Sequence, residues 1–117
     1  MKIAYIGTYP PRKCGIGTFT ENLCKSIALN VRQNTKTHAS VIAINDSSSL
    51  QEYDYPPEVK FVVRQNYRED YINAAEQINL SNSRACILNH EFGIFGGDSG
   101  LYILSLTDRL KVPLAVV

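Results

Sequence analysis

Two short stretches carry the residue types from which a binding site could be built. The first is Arg12-Lys13-Cys14-Gly15-Ile16-Gly17, two glycines one residue apart behind two cations. Glycines where a helix opens let backbone N–H groups approach an anion, and the helix N-terminus adds partial positive charge. The pattern favours a phosphate ligand, most naturally a diphosphate, held by Gly15, Ile16 and Gly17 with Arg12 and Lys13 close by. It is not a dinucleotide fingerprint, because Thr20 stands where a third small residue belongs, and no Walker lysine followed by Ser or Thr occurs. Glycines serving the geometry of a turn alone are the other reading. Cys14 beside Lys13 could have a lowered thiol pKa, yet no base accompanies it, so it reads as an incidental loop cysteine.

The second stretch is Asn89-His90-Glu91-Phe92-Gly93-Ile94-Phe95-Gly96-Gly97. A histidine at a strand end can donate to a sugar hydroxyl, act as acid or base, or brace the backbone. Adjacent side chains on extended backbone point oppositely, so only one of His90 and Glu91 readily faces a crevice, and metal binding by the pair is not expected. Gly96 and Gly97 lead to another helix N-terminus, where Asp98 or Ser99 can serve as a cap. His38 has no companions and reads as solvated surface. Tyr53, Tyr55, Tyr67 and Tyr71 are scattered through a loop and a helix and read as packing residues rather than a stacking platform.

These loops require elements to hold them, and the hydrophobic pattern provides five strands and three helices. Strands are expected at residues 2–7, 39–45, 59–64, 85–89 and 112–117, each a short apolar run bounded by loop residues. A helix beginning within residues 16–18 places Ile16, Phe19, Leu23, Ile27 and Val31 on one face, with Thr18 and Glu21 spaced as a capping box. A second helix from about Arg68 to Leu80 turns Tyr71, Ala74, Ala75 and Ile78 inward, with Glu69 and Asp70 near its N-terminal dipole. A third runs from Asp98 or Ser99 to about Leu110. Strands apolar throughout and alternating with helices imply an α/β fold, a doubly wound parallel sheet of Rossmann-like type. Ligands of such sheets bind outside the carboxyl ends of the strands, and strands one and four are neighbours at the switch point. Both glycine-rich loops therefore line one crevice.

Composition narrows the classes of function. The chain has 117 residues, room for a single domain, 1–117. Its 12 Lys+Arg against 11 Asp+Glu leave a formal charge of +1, which lacks the basic excess of a nucleic-acid binder. A hydrophobic fraction of 44% supports one real core. No apolar run approaches the ~20 residues of a membrane-spanning helix, and the opening Met1–Gly7 is too short an apolar block for a secretory signal and lacks a cleavage pattern. The expectation is a cytoplasmic protein. Cys14, Cys24 and Cys86 are odd in number without CxxC spacing, against both a disulfide framework and a zinc cage. The apolar end at Val117 reads as the edge of a piece of a longer protein.

With both loops in view, the chain resembles the N-terminal domain of family 4 glycosyltransferases, retaining enzymes of two-domain GT-B architecture. The likeness lies in Ile3-Ala4-Tyr5-Ile6-Gly7-Thr8-Tyr9-Pro10-Pro11 with Gly15-Ile16-Gly17, and in Asn89 to Gly97 with its histidine. It spans essentially the whole chain. The resemblance implies transfer of a hexose, such as mannose or glucose, from a nucleotide-diphosphate sugar to an acceptor hydroxyl with retention. It implies that Gly15 and Gly17 lie against the donor diphosphate and that His90 contacts the transferring sugar as a catalytic residue. Ile16, Arg12, Glu91, Gly96 and Gly97 would complete the substrate site. No cofactor and no metal are expected. The implied partners are the nucleotide sugar, a saccharide or lipid-linked acceptor and the chain's own C-terminal domain, with no nucleic acid. Most nucleotide contacts in the family come from that C-terminal domain, so the 117 residues alone are expected to be inactive. A lipid acceptor would place the protein peripherally at the inner face of a membrane. The alternative is a stand-alone nucleotide- or phosphate-binding flavodoxin-like module without catalysis.

Overall fold

The first strand, β1 (Ile3–Gly7), occupies the middle of the sheet and meets a neighbour on each side. The computed structural model describes residues 2–12, 15–30, 39–91 and 93–117, and of Gly15 and Ile16 the backbone alone. The expectations for Lys13, Cys14, Val31, His38 and Phe92, and for the Ile16 side chain, lie outside the described residues. On one side β1 pairs in parallel with β2 (Ala39–Asn45), which carries β3 (Val59–Arg64) on its outer edge. On the other it pairs with β4 (Ala85–Leu88), followed by β5 (Leu114–Val116). The order β3-β2-β1-β4-β5 is that of a Rossmann-like doubly wound sheet. A flavodoxin-like module would have its second strand at one edge, so the flavodoxin part of the alternative is corrected to the Rossmann order.

Alternation along the strands divides the core between two faces. Ala4, Ile6, Ile42, Ile44, Cys86 and Leu88 face helices α2 (Arg68–Leu80) and α3 (Tyr102–Thr107). Tyr5, Val41 and Ala43 face helix α1 (Gly15–Asn30) with Tyr9 and Cys24. All seven residues of β2 are buried, as a central strand covered on both faces must be. Burial raises the Cys24 thiol to about 11 and that of Cys86 to about 12, so both are inert core residues.

Helix α1 departs from its expected form. It starts at Gly15, which places Thr18 and Glu21 inside the helix instead of at a capping box; Glu21 pairs with Lys25 at 3.2 Å. Phe19, expected inward, is 48% exposed, while Thr20 and Cys24 are fully buried. The helix lies close to the sheet through small residues, and Leu23 and Ile27 pack at the margin of that contact.

Helix α2 has its expected span and buries Tyr71, Ala74, Ala75 and Ile78. Asp70 ties it to β3: its Oδ2 accepts the Arg64 backbone N–H at 2.9 Å and Nε at 2.7 Å, and Oδ1 accepts Nη2 at 2.9 Å. Burial works against the charged carboxylate, but these bonds and the Arg64 charge outweigh it and hold the Asp70 pKa below its ordinary value. A lowered folded-state pKa gives stability that is present above the ordinary carboxylate range, about 4, and lost as pH falls through the folded value. Replacing Asp70 by Asn is therefore expected to lower Tm at neutral pH and to shallow its decline below pH ~4; thermal melts from neutral to acid pH measure both.

The third helix is shorter than expected. A 3₁₀ turn (Asp98–Gly100) precedes α3, because Ser99 at φ 54° and Gly100 at φ 77° break the helical path. Gly97 precedes that turn with no side-chain cap, so neither Asp98 nor Ser99 performs the capping role expected of it. Strand β5 is exposed throughout and sits at the sheet edge beside β4. Among the described residues no helix is long and apolar enough to cross a membrane.

Candidate functional site

The carboxyl ends of β1 and β4 meet at Gly7 and Asn89. A Cβ on Gly7 would lie 2.9 Å from Thr20 Oγ1 and 3.4 Å from Asn89 Cβ, so the absence of a side chain lets α1 and the end of β4 close over the strand. Asn89 Nδ2 donates to Thr20 Oγ1 at 2.8 Å, and Asn89 N donates to Ile6 O at 2.9 Å. This contact fixes the N-terminal half of α1 at the switch point. Thr8 Oγ1 and Asn89 Oδ1 are buried there without a hydrogen-bond partner. Gly7, Thr8, Thr20 and Asn89 were all missed as site residues by sequence reasoning. Their partners lie up to 69 residues apart, and no local spacing marks them.

The loop after β1 turns sharply at Tyr9-Pro10-Pro11-Arg12, where Arg12 N donates to Tyr9 O at 3.1 Å across a cis Pro10–Pro11 peptide. Tyr9 is buried and donates its hydroxyl to Glu58 Oε2 at 2.8 Å, which anchors the turn to the segment before β3. Gly17 rests on this turn: its Cβ position lies 3.4 Å from Arg12 O and from Tyr9 C. A side chain at Gly17 would sit in ordinary contact with this turn, so α1 packs against the loop here. Gly15 and Ile16 form the first turn of the helix, whose N–H groups have no partner within the helix itself. Arg12 does not point from the loop as a free cation. Its Nη1 donates to Ile44 O at 2.8 Å and its Nε lies 3.8 Å from Asp46 Oδ2, so it is directed to the end of β2.

The loop after β4 is held from three sides. Ile94 and Phe95 are buried in the core beneath it. Gly96 N donates to Tyr71 Oη at 3.0 Å, Tyr71 Oη donates to Gln65 O at 2.7 Å, and Gln65 Nε2 donates to Gly93 O at 3.0 Å. A side chain on Gly96 would strike the Gln65 carbonyl, and one on Gly97 would lie 2.6 Å from the Tyr102 ring. Gly96 and Gly97 are accordingly packing residues, and Gly97 also needs its φ of 81°. Tyr71→Phe strands the buried Gly96 N–H and weakens the tie to Gln65, with an expected loss of about 2 kcal/mol measurable by urea denaturation.

His90 emerges from this frame as an exposed side chain whose ring leans on Phe95, centroids 5.8 Å apart. Its backbone N donates to Val117 O at 3.1 Å, continuing the β4–β5 ladder past β4. A cleft of about 270 Å³ opens beside it, lined by His90, Glu91, Gly93, Phe95, Ser99 and neighbouring glycines. Glu91 reaches the same cleft and is exposed. The structure therefore brings His90 and Glu91 to one cleft beyond β4, with the first turn of α1 beyond the adjacent strand β1. Gly96 and Gly97 pack within the framework around it, and Arg12 is turned away to the end of β2. Among the described residues, no three His, Cys, Asp or Glu side chains gather where they could hold a metal ion. Comparison of the chain with family models, with curated proteins and with solved structures returned no match.

Proposed function

We propose that the chain is the acceptor-side domain of a retaining glycosyltransferase that moves a hexose from a nucleotide-diphosphate sugar to an acceptor hydroxyl. The observation behind this reading is the adjacency of β1 and β4, whose carboxyl ends lead into the loop before α1 and into the His90 cleft respectively. Departure of the diphosphate leaves an oxocarbenium-like sugar, so transfer gains most from neutralising phosphate charge and from holding donor and acceptor in place. The N–H groups of the first turn at Gly15 to Gly17 supply partial positive charge for the leaving diphosphate. His90, braced on Phe95, offers a hydrogen bond to the sugar at the reacting end. The nucleotide is held by a donor-binding domain joined to this one. The test is a transfer assay on a polypeptide uniting the two: Gly15→Val is expected to raise the donor KM by about tenfold or more through lost anion contacts, and a wild-type KM overturns the reading.

The second reading, a nucleotide-binding module without catalysis, draws on the same order β3-β2-β1-β4-β5, in which β3-β2-β1 has the strand order of a mononucleotide-binding half. Tight nucleotide binding by the 117 residues alone, with no transfer by any joined form, favours it.

A further inference from the structure

At the carboxyl end of β2 stands a group of side chains that the His90 cleft does not use. Asp46 follows the last residue of that strand, and the loop around it is fixed by its own side chains. Buried Asn45 accepts Ser47 N on Oδ1 at 3.1 Å and donates Nδ2 to Ser49 O at 2.8 Å, and Ser49 N donates to Ser47 Oγ at 3.0 Å. Asp46 Oδ1 accepts the Tyr53 hydroxyl at 2.9 Å. Its Oδ2 lies 3.8 Å from Arg12 Nε, close enough for attraction and too far for a hydrogen bond, and the side chain is 47% exposed. The Tyr53 ring lies 5.7 Å from that of Tyr55, tilted by 53°. The Tyr55 hydroxyl is buried without a partner.

A half-exposed carboxylate, a guanidinium held near it and a tyrosine bonded to it match one class of ligand. The carboxylate accepts from adjacent hydroxyls of a sugar, while the apolar face of the sugar lies on the ring. Because β2 and β4 flank β1, this group and His90 stand on either side of the loop after β1.

We propose that Asp46, with Tyr53 and Arg12, forms a binding subsite for the vicinal diol of a sugar. The subsite rests on the sugar-transfer reading for its place in a reaction, since it gives that reaction a second sugar contact across the first loop. The diol belongs to a pyranoside acceptor under the sugar-transfer reading, or to the ribose of a nucleotide held by this chain itself under the nucleotide-binding reading, and the experiment separates them. The ¹⁵N-labelled chain is titrated with uridine diphosphate, with 2′-deoxyuridine diphosphate and with methyl α-D-mannopyranoside, and the amide shifts of Asp46 and Tyr53 are followed.

Shifts with uridine diphosphate that weaken about tenfold in the deoxy compound, the worth of one charge-assisted hydrogen bond, assign the diol to ribose. Shifts with the pyranoside assign it to an acceptor. In either case Asp46→Asn, at an exposed position, is expected to abolish them with an unchanged Tm. Silence of these amides with all three probes, or an Asp46→Asn chain that titrates as wild type, overturns the subsite. Equal binding of the ribo and deoxy compounds, without pyranoside binding, overturns it as well and does not depend on the variant. Inorganic pyrophosphate serves as the control for the α1 N-terminus. Its failure to shift Gly15 to Gly17 counts against the phosphate-loop reading and leaves the Asp46 outcome standing.

Discussion

Gly96→Ala is expected to be the most damaging single methyl that can be added to the loop after β4. The new Cβ would collide with the carbonyl of Gln65, a backbone group that is itself fixed by donation from Tyr71 Oη and by Gln65 N donating to Asn45 O at 2.8 Å. Neither side of the contact ends in a flexible side chain that could swing away. Overpacking against backbone costs about 3 kcal/mol, or roughly 12 °C in Tm for a domain of this size. Gly93→Ala provides the comparison within the same loop. Gly93 has a φ of 89° but nothing within 4 Å of its Cβ position, so only the left-handed backbone is penalised, by about 1 kcal/mol. Thermal melts of the two variants separate crowding from backbone conformation. Equal losses would show that Gly96 does not clamp the loop.

His90→Ala carries the largest expected effect on activity. The ring is exposed and lies against Phe95 at the edge of the cleft, so truncation leaves the core beneath the loop in place. The backbone bond from His90 N to Val117 O is also retained. In a transferase assembled from this chain and a donor-binding domain, kcat is expected to fall by about 10²–10³, the usual cost of a lost donor aimed at developing charge. The donor KM should change little, because the contact strengthens as the sugar–diphosphate bond breaks. Tm should match wild type. An unaltered kcat removes His90 from the reacting centre, whereas a parallel fall in Tm and kcat assigns it to the framework.

The sheet was legible because its strands are short, apolar and separated by polar loops, and each lies within the segment where the pattern puts it. Helix α2 was legible to the residue, since its inward Tyr71, Ala74, Ala75 and Ile78 repeat at helical spacing against a polar opposite face. Helix α1 was not. Its stripe of large residues included Phe19, but contact with the sheet is made through Thr20 and Cys24, whose small size permits close approach. The same difficulty governs the candidate site. Glycines that admit a ligand and glycines that admit a neighbouring backbone look alike in sequence, and Gly96 is packed directly against the Gln65 backbone. Arg12 carries a charge that any anion could use, yet the Ile44 carbonyl claims it 32 residues away. The loop positions flanking the switch point could be inferred from topology. The network that fixes them, from Asn89 to Thr20 and from Gly96 through Tyr71 to Gln65, consists of pairings remote in sequence.

The exposed strand β5 gives the sheet an uneven tolerance for opening. It contributes three residues, bonds to β4 along one side, and leaves Leu114, Val116 and Val117 at 38%, 60% and 60% exposure. Detaching it uncovers little apolar surface, whereas releasing β1 requires parting from both β2 and β4 and opening both core faces. Under native conditions, therefore, deuterium should enter the β4–β5 ladder by local fraying, at Val117 N and at Cys86 N, which donates to Pro113 O. The amides of β1 and β2 should exchange only when the whole domain unfolds. Because His90 N bonds to Val117 O, the backbone at the root of the cleft belongs to the fraying unit and not to the rigid centre. The His90 end of the proposed site is thus set on the most easily opened seam of the sheet.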